Sequence, residues 1–176
     1  MDYSSGRLLV SQRERQASRY RAWVLFAVPL AALLFQISVP RFFPFLAYLD
    51  MPLLVVIYFS LMWRNQLGGL AIGAVMGLAQ DSLSHDPLGM FGIDKTLVGY
   101  FAASVGVRLD VDNGFLRLLL TFFFYMFHQC LYWVMARALL GRQPVFEAQR
   151  WLMLGLLNAF VGISLYHFLD RMRERI

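Results

Sequence analysis

Charge, cysteine and the short signatures of catalysis are all scarce in this chain. Only 15% of its 176 residues are Asp, Glu, Lys or Arg, against about a quarter in a soluble domain. Hydrophobic residues make up 59% and the mean hydropathy is +0.56, so an ordinary soluble domain is excluded. The single cysteine, Cys130, excludes an intramolecular disulfide and a multi-thiolate metal site. Inside its apolar run it reads as a small buried apolar side chain. No P-loop, dinucleotide fingerprint or G-x-S-x-G element occurs, and acidic residues are not paired at the spacing of intramembrane aspartyl enzymes. His85, between Asp81 and Asp86, is the nearest thing to a metal cluster. With no second histidine pair it reads instead as part of a turn whose Asp and Ser side chains cap local backbone. No catalytic residue, metal site or cofactor is expected.

What the chain has in quantity is apolar sequence in runs approaching the roughly 20 residues a membrane-crossing helix needs. The fold class expected is an all-α polytopic membrane protein with about six transmembrane helices. The runs lie near 22–39, 46–63, 66–83, 87–107, 115–139 and 151–169. The fourth is the least regular, because its plain apolar part, Thr96 to Val107, is too short to cross at about 1.5 Å per residue; it either tilts across or enters partway and bends. Arg13, Arg15, Arg19 and Arg21 before the first run resemble a signal peptide. The run is longer than a typical h-region and ends in VPRFFP rather than a small-x-small site, so it reads as a retained span. Three parts follow: a basic tail 1–21, one six-helix membrane domain 22–170 and a basic tail 171–176. Most basic residues fall on the side of the termini, which the positive-inside rule places in the cytoplasm; Arg41, Lys95, Arg137, Arg142 and Arg150 fall on the other. The net charge of +5 therefore orients spans and meets lipid headgroups rather than nucleic acid.

The organising stretch is QLGGLAIGAVMGLAQDSLSHDPLG, residues 66–89. Gly69, Gly73 and Gly77 recur every four residues, which strips one helix face to its backbone and admits another helix closely. Asp81 continues the series before a turn marked by Asp, Pro and Gly. Gly99 with Ala103 extends the small-residue theme. This face either packs within the subunit or forms a groove for a partner's span. A carboxylate at Asp81 needs compensation, from Ser84, Lys95 or amides of the turn.

Two further polar residues stand inside apolar runs. Asp50, just before Pro52, reads first as a helix cap and second as a buried acid that binds a partner or a cation. His128, beside Gln129 and near Tyr125, reads as an interhelical hydrogen-bonding group ahead of a proton-transfer group.

The order DMPLLVVIYFSL, a glycine-rich span, then GLAQDSLSHDPLGMFGIDKTLVGYF resembles the MreD family of bacterial rod shape-determining membrane proteins. Gly77, Leu78, Asp81, Leu83, Ser84, Leu88 and Gly89 match that family's G-x-L-x-D-x-L-S-G-x-x-L-G pattern, with His85 where a glycine is common. Lys95, Thr96, Leu97, Tyr100 and Asn158 also fit. The resemblance implies a non-enzymatic subunit of the cell-wall elongation machinery in the bacterial inner membrane. Its implied partner is an MreC-like single-span protein, and through it MreB filaments, a RodA-type glycosyltransferase and a penicillin-binding transpeptidase. It also implies a fold similar to the substrate-binding component of energy-coupling-factor transporters, which makes a vitamin-type carrier the alternative function. The residues expected to carry helix packing or partner binding are Gly69, Gly73, Gly77, Asp81, Ser84, Leu88, Gly89, Gly99 and Ala103.

Overall fold

The computed structural model describes residues 22–84, 89–142, 145 and 147–172. The expectations for the tail 1–21, for His85, Asp86 and Leu88, and for residues 173–176 lie outside the described residues.

Among the described residues there are six α-helices and no strand. Helix α1 is Ala22–Phe42, and a 3-10 turn, Pro44–Tyr48, leads into α2, Met51–Trp63. Helices α3, Gln66–Leu83, and α4, Met90–Arg108, form a tight antiparallel pair, followed by α5, Gly114–Leu140, and α6, Ala148–Asp170. Length and apolarity together make three of them able to cross a membrane: α1 from Trp23, α5 and α6. Helix α4 is continuous over 19 residues, or roughly 28 Å, because Asp94 and Lys95 lie inside the protein and not at its border.

The run expected over 46–63 is the one that changes most. Its first part winds into the 3-10 turn, started by Pro44, so α2 has 13 residues. At about 20 Å it is too short to cross alone. Every residue from Pro52 to Met62 is buried, as befits a helix that is apolar on all sides. Helices α1, α3, α4, α5 and α6 all touch it. Tyr58 lies against Tyr166 of α6 with ring centroids 5.1 Å apart, and Phe59 against Trp63 at 5.4 Å. The chain reverses from α2 to α3 through Arg64, in the left-handed region at φ 52, and Asn65. The Asn65 side chain accepts from the Leu67 and Gly68 amides, a cap that a short polar residue supplies.

Apolar side chains also cover the outside. Trp23, Phe26 and Leu30 of α1, Phe115, Leu119 and Phe123 of α5, and Leu152, Met153 and Phe160 of α6 are exposed to the surroundings of the bundle. In water that much apolar surface would be costly; in lipid it is solvated. Cys130 is exposed too, which corrects the expectation of burial: it stands on the outward face of α5.

At the end where α2 and α6 finish and α5 begins, the Arg117 guanidinium is bonded to the Asp170 carboxylate and the Val111 carbonyl. It also lies 3.4 Å from Asp112. Tyr58 donates to the same Asp170 at 2.8 Å. This network ties three helix ends together.

Candidate functional site

Two aspartates each stand at the start of a helix. Both α2 and α4 begin inside the bundle, where the first amides of a helix have no partner within the helix itself. Where protein covers these amides, protein must also accept from them.

For α2 the donors are answered one by one. The Asp50 amide donates to Asn158 Oδ1 at 3.0 Å and the Met51 amide to Gln36 Oε1 at 3.2 Å. Pro52 has no amide to satisfy. The Leu53 amide donates to Asp50 Oδ1 at 2.9 Å. Asn158 turns its own amide group to the carbonyls of Tyr48 and Leu154, both at 2.9 Å. Gln36 on α1 and Asn158 on α6 thus hold the point at which the 3-10 turn becomes a helix.

For α4 the work falls to Asp81. Its carboxylate accepts from the amides of Gly89, Phe91 and Gly92 at 2.8 to 3.0 Å. The positive end of the α4 dipole reinforces this for a negative group. Among the compensators expected, the turn amides and not Lys95 satisfy it. Ser84 Oγ bonds instead to the Asp81 carbonyl at 3.3 Å. Gly89 sits at φ +100, a conformation open to glycine at little cost.

The glycine series has its place on the same pair. A Cβ on Gly69 would lie 2.3 Å from the Gly99 carbonyl oxygen and 2.9 Å from Ala103 Cβ. On Gly73 it would lie 2.1 Å from the Lys95 carbonyl oxygen, and on Gly77 2.2 Å from that of Phe91. Backbone therefore meets backbone along the α3–α4 seam. The face is filled by α4 of the same chain, which leaves no room there for a partner's span.

That seam seats Lys95 so that its side chain reaches Asp50. Lys95 Nζ is 2.7 Å from Asp50 Oδ2 and 5.4 Å from the centre of the Phe91 ring. One turn of α5 brings His128 into the same space: its Nε2 is 3.4 Å from Asp50 Oδ2 and its Nδ1 2.5 Å from Asp94 Oδ2. The second contact is the closer, and among the described residues Asp94 has no polar partner besides His128. Asp94 and Lys95 are fully buried and His128 is 5% exposed. Gln129 pairs with Tyr125 at 2.9 Å and not with His128.

Sequence reasoning therefore found Asp50, Asp81 and His128 singly and missed that Asp50, Asp94, Lys95 and His128 form one cluster. The signal was available: two aspartates, one lysine and one histidine in apolar surroundings require mutual compensation. Asp50 serves as both cap and buried acid, because each of its oxygens takes one role. The level is well inside the bundle, since His128 lies near the middle of α5 and Asn158 near the middle of α6.

Residues 17–172 match the family model described as rod shape-determining protein MreD. No curated protein and no solved structure matches the chain.

Proposed function

Because the chain belongs to the MreD family of rod shape-determining proteins, we propose that it serves rod shape as a non-catalytic membrane subunit of the bacterial cell-wall elongation complex. In this reading it binds an MreC-like single-span protein within the lipid. MreB filaments, a RodA-type glycosyltransferase and a penicillin-binding transpeptidase are reached indirectly. The match over most of the chain is the observation that carries the reading.

The same proposal takes the bundle as six crossings of the inner membrane, α2 crossing together with the 3-10 turn before it, with both termini cytoplasmic and a fold similar to the substrate-binding component of energy-coupling-factor transporters. The arginine distribution supports the orientation. The apolar outer faces of α1, α5 and α6 support the lipid setting.

With the glycine face filled, the partner's span belongs elsewhere. A shallow apolar groove of 320 Å3 runs along the outside of the α3–α4 pair, lined by Ala74, Leu78, Gly89, Gly92, Ile93 and Thr96. Small residues there let a helix approach closely, which is what association in lipid depends on. The carrier alternative gains no such support, because the polar interior is occupied by Lys95, His128 and their carboxylates.

The test is co-purification in detergent with the product of a neighbouring MreC-like gene, scored beside cell shape on depletion. Ala74→Phe fills the groove from the α3 side. It is expected to keep abundance and melting behaviour while lowering recovery of the partner at least tenfold. Full recovery with normal rods would remove the groove from the proposal; no recovery by the unaltered chain would remove the partner.

A further inference from the structure

His128 faces a carboxylate with each of its ring nitrogens, Asp94 with Nδ1 at 2.5 Å and Asp50 with Nε2 at 3.4 Å. A neutral imidazole has one N–H and one lone pair. One of the two contacts would then set a lone pair against a carboxylate oxygen.

The charge count points the same way. Lys95 is committed to Asp50 at 2.7 Å, and that pair is neutral as a unit. Asp94 is left with His128 as its one polar neighbour among the described residues, and with no exposure. A carboxylate so enclosed calls for a compensating positive charge or for a proton of its own.

The other groups facing the site do not resolve this. Helix α5 brings Tyr125, whose ring lies 6.3 Å from that of His128 and whose hydroxyl accepts from Gln129. Helix α4 brings Phe91, stacked on His128 with centroids 6.4 Å apart. Helix α6 offers the neutral Asn158 and α1 the neutral Gln36, both spent on the start of α2. Helix α3 offers Asp81, spent on the amides of α4.

We infer that Asp94 and His128 together bind one proton, making the centre of the bundle a proton site. The ligand is a proton because Asp94 and Lys95 admit nothing of the size of water. Held on the imidazole, it gives both ring nitrogens an N–H to point at a carboxylate. Held on Asp94, it gives Nδ1 a hydroxyl to accept from. Either position leaves the four side chains neutral overall and bonds α4 to α5. Buried Asp–His couples of this kind are among the groups that hold or pass protons within membranes.

The test uses the full chain in detergent at pH 8 with 15N-labelled histidine; His128→Gln assigns the His128 signal among the three histidines. The expected result is an imidazolium spectrum for His128, or a neutral imidazole with an infrared band of a protonated carboxylic acid that Asp94→Asn removes. A neutral imidazole with no such band overturns the inference. Unfolding in weak buffer gives a second readout that needs no assignment. At pH 8 the unaltered chain is expected to release about one proton more than Asp94→Asn, so that its ratio of folded to unfolded protein falls about tenfold relative to the variant for each added pH unit. Equal release by the two chains overturns the inference as well. Should Asp94→Asn fail to fold, Asp94→Glu takes its place in the infrared test: it keeps the carboxyl and is expected to shift the acid band, and an unshifted band overturns the assignment to Asp94.

Discussion

Two ion-pair networks hold this bundle, and they differ in what surrounds them. The network at the helix ends joins Arg117 to Asp170 and Asp112, whose side chains are 29% and 57% exposed. The planar guanidinium offers several donors at once, and water reaches the carboxylates where protein does not. The central network joins Lys95 and His128 to Asp50 and Asp94, and water reaches little of it. At the rim the network is a fastener that solvent completes. In the interior each charge must be answered by protein, so the loss of one member leaves another stranded.

That contrast can be broken in graded steps. The largest effect is expected from Gly73→Leu, which drives a side chain into the Lys95 carbonyl and unseats the lysine along with the seam. Folded, monodisperse protein should be lost in size-exclusion chromatography, and a normal peak would show that the seam does not set the lysine's position. Next comes Lys95→Met, which strands Asp50; removing one partner of a buried pair costs about 3–5 kcal/mol. Unfolding by denaturing detergent measures this, and the double variant with Asp50→Asn should recover most of the loss. An additive double variant would deny the coupling.

At the rim, Arg117→Met should cost less, about 1.5–3 kcal/mol for hydrogen bonds to charged groups, because Asp170 keeps access to water. If it proved as damaging as Lys95→Met, the two networks would not differ as their exposure implies. The smallest change is Tyr58→Phe, which removes one bond to Asp170 and is worth about 0.5–1.5 kcal/mol. A melting temperature unmoved within error would mean that Asp170 is held by Arg117 alone.

Much of this was legible in the residues. The six helices follow from apolar runs and their breaks, and α5 and α6 lie within a few residues of where composition puts them. The spacing of Gly69, Gly73 and Gly77 announced a bare helix face, and Asp50 announced a cap. Less legible was the shortening of α2, because the aromatic stretch from Phe43 to Tyr48 is apolar enough for helix or turn. Its 3-10 winding depends on Gln36 and Asn158 waiting to receive the first amides of α2.

What the sequence alone determined is therefore local: which stretches coil into helices, which faces are bare, and which residues end or begin a turn, since these depend on neighbours within about four positions. Only the tertiary structure decided that the bare face meets α4 of the same chain, that Lys95 serves Asp50 rather than Asp81, and that Asp94 and His128 meet. Lys95 and Asp50 are 45 residues apart, and Asn158 and Asp50 108. No helical period links such positions. Their pairing is fixed by the order and rotation of packed helices, where each buried charge takes the partner that the surrounding backbone brings within reach.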